Sequence, residues 1–225
     1  MRMRRHLWGI SLGVALSCGA AWARDTGTKQ EQHEGVRLGE ASEDQIGFTQ
    51  QVAFLDQTQI ALGKLALEQS KDPSVRAFAQ RLIQEHQQHL QSLQTFAEAN
   101  TLNLALVDLG AADMAMGGSG PVDGAAGGEL EERTVKYQDA YLQQVNAFTT
   151  LRSQLSQLQG RDFDRAFLEQ VSSYQKQGQK LVNTGLSRFR EDTAFSVLLG
   201  RLVPVLQRHQ NEAQSMVKAL DSTQP

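Results

Sequence analysis

Residues 72–100 read DPSVRAFAQRLIQEHQQHLQSLQTFAEAN. Asp72 followed by Pro73 is a strong helix start, because aspartate caps free backbone N–H groups and proline fits the first helical position. Apolar residues then recur every three or four positions, which predicts one buried helix face. That face comprises Val75, Phe78, Ala79, Leu82, Ile83, Leu90, Leu93, Phe96 and Ala97.

A related stretch follows 120 residues later, at residues 192–220. The shift places Asp72 on Asp192 and His89 on His209, with identical residues at seven of the 29 aligned positions. The match reflects either the 3.6-residue period that all amphipathic helices share or a duplicated helical hairpin. A duplicated hairpin would form a four-helix bundle, with two helices from each half and a long crossover between them.

Helical periodicity also covers the flanks of residues 72–100. Ser42 with Gln45 forms a capping box, and the apolar residues that follow predict a first helix to about Ser70. A third helix is expected over 129–158. Residues 109–128, which precede it, are rich in glycine and alanine and predict a flexible insertion.

The rest of the chain is expected to form two more helices. Gly160 ends the third helix, and a fourth extends to about Leu186. A fifth begins after Asp192, and Pro204 either kinks it or marks its start. The expected layout is a leader at 1–23, an arm at 24–41, a helical domain at 42–220 and a tail at 221–225.

The composition excludes several classes of protein. Of 225 residues, 40% are hydrophobic and 21% are charged, which is ordinary for a globular domain and argues against wholesale disorder. The net charge of −3 leaves no basic excess to bind nucleic acid through its phosphates. We therefore expect no nucleic-acid partner.

The leader at 1–23 has the pattern of an export signal. Three arginines precede an apolar run over 7–16, and Ala21-Trp22-Ala23 forms a small-x-small cleavage site. The apolar run is too short to span a bilayer as a mature helix. We expect a periplasmic chain that begins at Arg24, with a net charge of −6 and no cysteine.

Cys18 offers an alternative fate for the leader. Leu16-Ser17-Cys18 resembles a lipoprotein acylation site, which would anchor the chain to a membrane. Cleavage after Ala23 would instead remove the cysteine, which excludes disulfides, thiol catalysis and cysteine-based metal sites from the mature chain.

Ionisable side chains cluster in the middle of residues 72–100 and of their repeat. His86 and His89 share one side of a helix with Glu85, and His209 with Glu212 lies in the repeat. Imidazole and carboxylate groups from facing helices are typical metal ligands in bundles. These five residues are therefore a candidate site for iron, manganese or zinc.

A structural role for the same histidines competes with this hypothesis. They would border the core or pair with Glu85 and Glu212, as side chains one turn apart often do. Di-iron bundles carry Glu-x-x-His on two helices, and this chain has no such pattern. The first helix offers Gln57 and Gln59 near its middle, where such a site would want a carboxylate. We therefore expect no cofactor and do not favour an enzyme.

Taken together, the motifs resemble DUF4142, an exported bacterial family of unknown function with ferritin-like helical bundles. The resemblance rests on LGKLA at 62–66, VRAFAQRLI at 75–83 with Glu85-His86, FDRAF at 163–167, and Val203-Pro204 with Leu206 and His209. It implies an all-α, ferritin-like up-down four-helix bundle with an additional helix and a glycine-rich insertion.

Two positions depart from the family pattern. The family often has a glutamate shortly before its Leu-Gly-x-Leu-Ala motif, where this chain has Gln59. It usually has a histidine eleven or twelve residues after Phe-Asp-Arg, where this chain has Tyr174 and Gln175. A metal site shared with relatives would then keep only His86 and His209.

The sequence leaves three hypotheses of function. The first is a non-enzymatic protein of the bacterial cell envelope that binds an envelope protein or a second copy, or that contributes to stress tolerance. The second is a metal-binding or redox bundle that uses His86, His89 and His209, and it requires His86 and His209 to lie close together in one cavity. The third is a membrane lipoprotein attached through Cys18.

Overall fold

The computed structural model describes residues 43–104, 106–107, 109 and 128–222. Within these residues the chain forms five helices and no strand, which confirms the all-α prediction for them. The export signal, the arm, Ser42 and most of the glycine-rich insertion lie outside the described residues. The helices are α1 (Glu43–Gln69), α2 (Pro73–Ala99), α3 (Gly128–Ser156), α4 (Gly160–Arg188) and α5 (Thr193–Ser222).

The expected capping residues stand at the helix starts. The Asp72 carboxylate accepts backbone N–H groups from Ser74 and Val75, at 2.8 and 3.1 Å. Asp192 accepts the N–H of Phe195 at 2.9 Å. Each aspartate thereby satisfies donors that a helix start leaves without partners.

Two details of the helix ends refine the predictions. Gly160 adopts a φ of +55°, a left-handed conformation that glycine tolerates, and it is the first residue of α4, whereas α3 already ends at Ser156. Helix α5 continues through Pro204, so the proline does not begin it, and the helix extends to Ser222 within the expected tail. No described helix combines the length and the apolar character needed to cross a bilayer.

Four helices contact one another in a ring, in the order α1, α2, α5, α4. Ion pairs and hydrogen bonds show that neighbours in the ring are antiparallel. Between α2 and α5, Arg81 pairs with Glu212, and Glu85 pairs with Arg208 one turn earlier on α5. Helix α3 packs outside the ring, against α1 and α4.

The buried apolar residues form two separate clusters. Cluster A lies at the α1–α2 turn and includes Leu62, Phe78 and Phe167, together with residues of α3. Cluster B lies at the α4–α5 turn and includes Phe48 and Phe195. No buried residue in the described part of the chain belongs to both clusters.

Helix α1 is enclosed on all sides over its middle. Every side chain from Leu55 to Leu62 is buried, because α2 and α4 flank the helix while α3 and the segment after α2 cover it. Gln57 Nε2 fixes that segment by donating to the Val107 carbonyl at 2.7 Å. This enclosure explains why polar residues of α1 lie in the protein interior.

Candidate functional site

A layer of buried polar side chains separates cluster A from cluster B. Each helix of the ring contributes to the layer between its residues in one cluster and its residues in the other. Because buried polar groups are costly without partners, such a layer is the first place to look for function. The polar layer consists of Asp56 and Gln59 from α1, His86 and His89 from α2, Gln175 from α4 and His209 from α5.

Asp56 lies at the centre of the polar layer. Its Oδ1 is 2.7 Å from His86 Nδ1, and its Oδ2 is 2.6 Å from His89 Nδ1. The side chains of Asp56 and His86 have no exposed surface. Since an ionised carboxylate only accepts hydrogen bonds, both imidazoles donate their Nδ1–H groups to it.

The charges of these three side chains depend on one another. Burial alone would raise the pKa of Asp56, but the charge of His89 and the hydrogen bonds from both histidines outweigh it and hold the pKa below its ordinary value. Burial would likewise lower the pKa of His89, but the Asp56 carboxylate outweighs it and raises that pKa. Asp56 and His89 therefore form a buried ion pair near neutral pH.

Gln175 occupies the other side of the His86 ring. Its Nε2 lies 3.3 Å from His86 Nε2 and donates to Gln59 Oε1 at 3.0 Å. Because Nδ1 of His86 faces Asp56, Nε2 is the ring nitrogen that faces the amide of Gln175. Both ring nitrogens of His86 are then engaged, and the contacts join α1, α2 and α4.

His209 completes the layer from α5. Its ring centroid lies 5.5 Å from that of His86, and its Nε2 lies 2.8 Å from Glu85 Oε2. Glu85 also pairs with Arg208 at the surface. Burial and the neighbouring His86 lower the pKa of His209 to about 4, although Glu85 acts in the opposite direction. His209 is therefore neutral at pH 7.

Four of the five proposed metal ligands lie close together. His86, His89 and His209 belong to the polar layer, and Glu85 lies at its solvent edge. The closeness of the His86 and His209 rings satisfies one part of the geometric condition set by the metal hypothesis, which also requires a shared cavity. Among the described residues, however, no group of three or more histidine, aspartate or glutamate side chains is arranged to hold a metal ion.

The partners expected for the histidines require correction. Glu212 pairs with Arg81 on the surface between α2 and α5. His86 and His89 lie inside the core and pair with Asp56, while only His209 contacts Glu85. The reason is that both histidines of α2 face inward toward α1, where a carboxylate is already buried.

Asp56 is the residue of this site that sequence reasoning missed. The expectation of amides at the middle of α1 overlooked the carboxylate directly before Gln57. A signal was present, because aspartate within a long apolar helix is rarely buried without a charged partner. Hydrophobic periodicity could not locate it, because α1 is buried on all sides at its middle and does not alternate there between a buried and an exposed face.

A family model described as a domain of unknown function, DUF4142, matches residues 30–119 and 129–216. This chain belongs to the DUF4142 family. The resemblance drawn from the motifs is thus confirmed, and the match begins before α1. No curated protein and no solved structure matches the chain.

Gln59 and Gln175, which the sequence was expected to carry in place of family residues, meet in the polar layer. Gln59 and Gln175 are hydrogen-bonded to each other, and Gln175 also reaches His86. They are 116 residues apart in the sequence, so only the antiparallel contact of α1 with α4 brings them together. A pair of neutral amides therefore forms one side of the layer.

Proposed function

We propose that this DUF4142 protein is an exported, non-enzymatic helical bundle of the bacterial cell envelope that acts as a binding or stress-tolerance module. The observation that carries the proposal is that the Asp56 carboxylate and the His86 ring are fully engaged by their neighbours in the polar layer. Both carboxylate oxygens of Asp56 are hydrogen-bonded to histidines, and Gln175 contacts the remaining ring nitrogen of His86. A catalytic centre needs groups open to a substrate, whereas Asp56 and His86 are buried and held by their neighbours.

A buried polar layer bonded around Asp56 suits a structural role. Sliding α1 against α2 by one turn would separate Asp56 from His89 and place them against aliphatic side chains of cluster A or cluster B. Such a shift would leave a buried charge without its partner, which costs several kcal/mol. The layer therefore supports one register of α1 against α2, as single buried polar residues do in coiled coils.

The ring also supports a ferritin-like topology. Because α1 is antiparallel to both α2 and α4, those two helices run in the same direction. Gln59–Gln175 and Asp44–Arg188 contacts align α1 with α4 in this way. Two helices that run in the same direction require a connection along the length of the bundle, as the one long crossover of ferritin-like folds provides.

Export and partners follow from the sequence features. The leader at 1–23 supports a periplasmic location, with a lipoprotein attached through Cys18 as the alternative. Mass spectrometry of the mature N-terminus distinguishes them: Arg24 indicates cleavage and release, and an acylated Cys18 indicates a membrane anchor. The acidic mature chain favours an envelope protein or a second copy as partner over nucleic acid.

A metal-binding or redox bundle is the second candidate function. The close approach of the His86 and His209 rings favours it, and so does His209 Nδ1, which is buried with no hydrogen-bond partner among the described residues. His86 and His209 would hold the ion, with Glu85 at the edge and His89 held on Asp56. Iron or manganese there would supply redox chemistry, and zinc a Lewis acid.

Metal analysis of the exported protein separates the two candidates. The protein is purified from the periplasm without an affinity tag, alongside a His86→Ala/His209→Ala variant. The first candidate predicts substoichiometric metal in both and a thermal melt that added iron, manganese or zinc does not change. One equivalent of metal that is lost in the variant would overturn it and establish the second candidate.

A further inference from the structure

Gln175 is the only described residue of α4 in the polar layer, and it faces the one nitrogen of His86 that Asp56 does not hold. The separation of Gln175 Nε2 from His86 Nε2 is 3.3 Å. Two donor atoms on one tetrahedral zinc ion, with bonds near 2.1 Å, are about 3.4 Å apart. The side chain at position 175 is thus at the spacing of a second ligand.

His209 supplies a third group at comparable spacing. Its ring centroid is 5.5 Å from that of His86, and two imidazoles on one tetrahedral ion have centroids about 5 Å apart. His209 Nδ1 is buried and without a hydrogen-bond partner within the described residues. His86 is already oriented as metal-bound histidines usually are, because its Nδ1–H donates to a carboxylate.

The amide of Gln175 blocks metal binding by these residues. Its Nε2 points at both His86 Nε2 and Gln59 Oε1, so its N–H groups occupy the lone pairs that a cation would need. Turning the amide around would place its oxygen against the oxygen of Gln59 unless that amide also turned. The two glutamines therefore hold each other in the orientation that seals His86.

We propose that residue 175 decides whether the polar layer is a hydrogen-bonded seal or a site for a divalent cation. As glutamine it seals the layer. An imidazole or carboxylate at this position forms, with His86 and His209, a three-ligand site for zinc or a similar borderline cation. The inference rests on the first proposed function, in which the natural chain does not hold a metal.

The test introduces a ligand at position 175 of the exported full chain. Gln175→His adds a neutral imidazole, and Gln175→Glu adds a carboxylate, so that one variant remains if the other fails to fold. Gln177→His is the matched control, since its side chain turns to Ser173 on the same helix. Zinc binding is measured by calorimetry, and cobalt(II) reports tetrahedral coordination through its visible absorption.

The expected result is one zinc per chain in Gln175→His or Gln175→Glu, bound at least about 100-fold tighter than by the natural chain or by Gln177→His. Zinc should also raise the melting temperature of the binding variant, and His86→Ala in that background should abolish both effects. Folded variants at position 175 that bind no better than Gln177→His overturn the inference but leave the first proposed function intact. Stoichiometric zinc on the natural chain overturns both.

Discussion

The Asp56 carboxylate and the His86 imidazole meet across the contact between α1 and α2, with Oδ1 and Nδ1 2.7 Å apart and neither side chain exposed. The other oxygen of Asp56 binds His89, which carries the compensating charge. The carboxylate therefore joins two helices at the boundary between two apolar clusters. Its removal should therefore lower the stability of the whole fold.

Replacing Asp56 by asparagine should lower the free energy of unfolding by about 3 kcal/mol, because His89 then lacks its buried countercharge. Urea unfolding followed by circular dichroism at pH 7 measures the effect. Asp44→Asn on the same helix is the control, since the Asp44–Arg188 pair is largely exposed and should contribute less than about 1 kcal/mol. Equal losses in the two variants would argue against a buried ion pair.

Stability should fall as the pH drops from about 6.5 toward 4. The pKa of His209 is lowered to about 4 in the folded chain, so the unfolded chain binds more protons over this range. The expected loss in unfolding free energy is on the order of 3 kcal/mol. His89 does not add to it, because its raised pKa gives stability that is present at low pH and lost only as the pH rises.

His209→Gln provides the control for this pH dependence. Glutamine fills similar space and cannot titrate, so the variant should show a flatter stability profile between pH 4 and 6.5. The lowered pKa of Asp56 gives stability that is lost mainly below its ordinary value of 3.8, and this carboxylate is present in both proteins. Parallel profiles for the two proteins, measured by urea unfolding at several pH values, would refute the assignment to His209.

Gly185 should not accept a larger side chain. A Cβ at this position would overlap the ring of Phe48 and lie 2.8 Å from Leu199 Cδ1. Gly185→Ala should therefore destabilise by about 1–3 kcal/mol through overpacking. At Gly200 no described atom lies within 4 Å of such a Cβ, so Gly200→Ala should stabilise α5 by about 0.5–1 kcal/mol. Thermal melts of the pair test the opposite signs.

The two capping aspartates should differ in importance. Asp72→Ala removes a helix cap and should cost about 1 kcal/mol. Asp192→Ala should cost about 2 kcal/mol, because Asp192 also accepts a hydrogen bond from Gln45 Nε2 at 2.7 Å. Asp192→Asn keeps the cap but loses the bond from Gln45, so its melting temperature should fall between those of the natural chain and Asp192→Ala. A larger loss at Asp72 would contradict this order.

Local sequence signals predicted the helices because the responsible interactions are local. Asp72-Pro73 and Asp192 begin helices through contacts within one turn, and the spacing of apolar residues in α2 sets the face that is buried. Some positions related by the 120-residue shift also have matching roles in the structure. Asp72 and Asp192 both cap helices, and His89 and His209 both lie in the polar layer.

The contacts of the site could not be predicted in the same way, because they join residues far apart in sequence. Asp56 and His89 are 33 residues apart, and Gln59 and Gln175 are 116 apart. Which partner each histidine selects depends on how α1 is enclosed, and α3 provides part of that enclosure. Residue type alone was enough to propose the histidines as site residues. The packing of α1 was needed to identify Asp56 as their carboxylate partner.

Because clusters A and B are separate, the helical domain has two hydrophobic cores rather than one. The two clusters are separated by the polar layer, so a local opening of one cluster leaves the apolar contacts of the other intact. Cluster A includes side chains of α3, whereas none of the α3 side chains that the structure describes belongs to cluster B. The chain should therefore loosen first at the α4–α5 turn, where amide protons would exchange with solvent while those beside the α1–α2 turn are still protected.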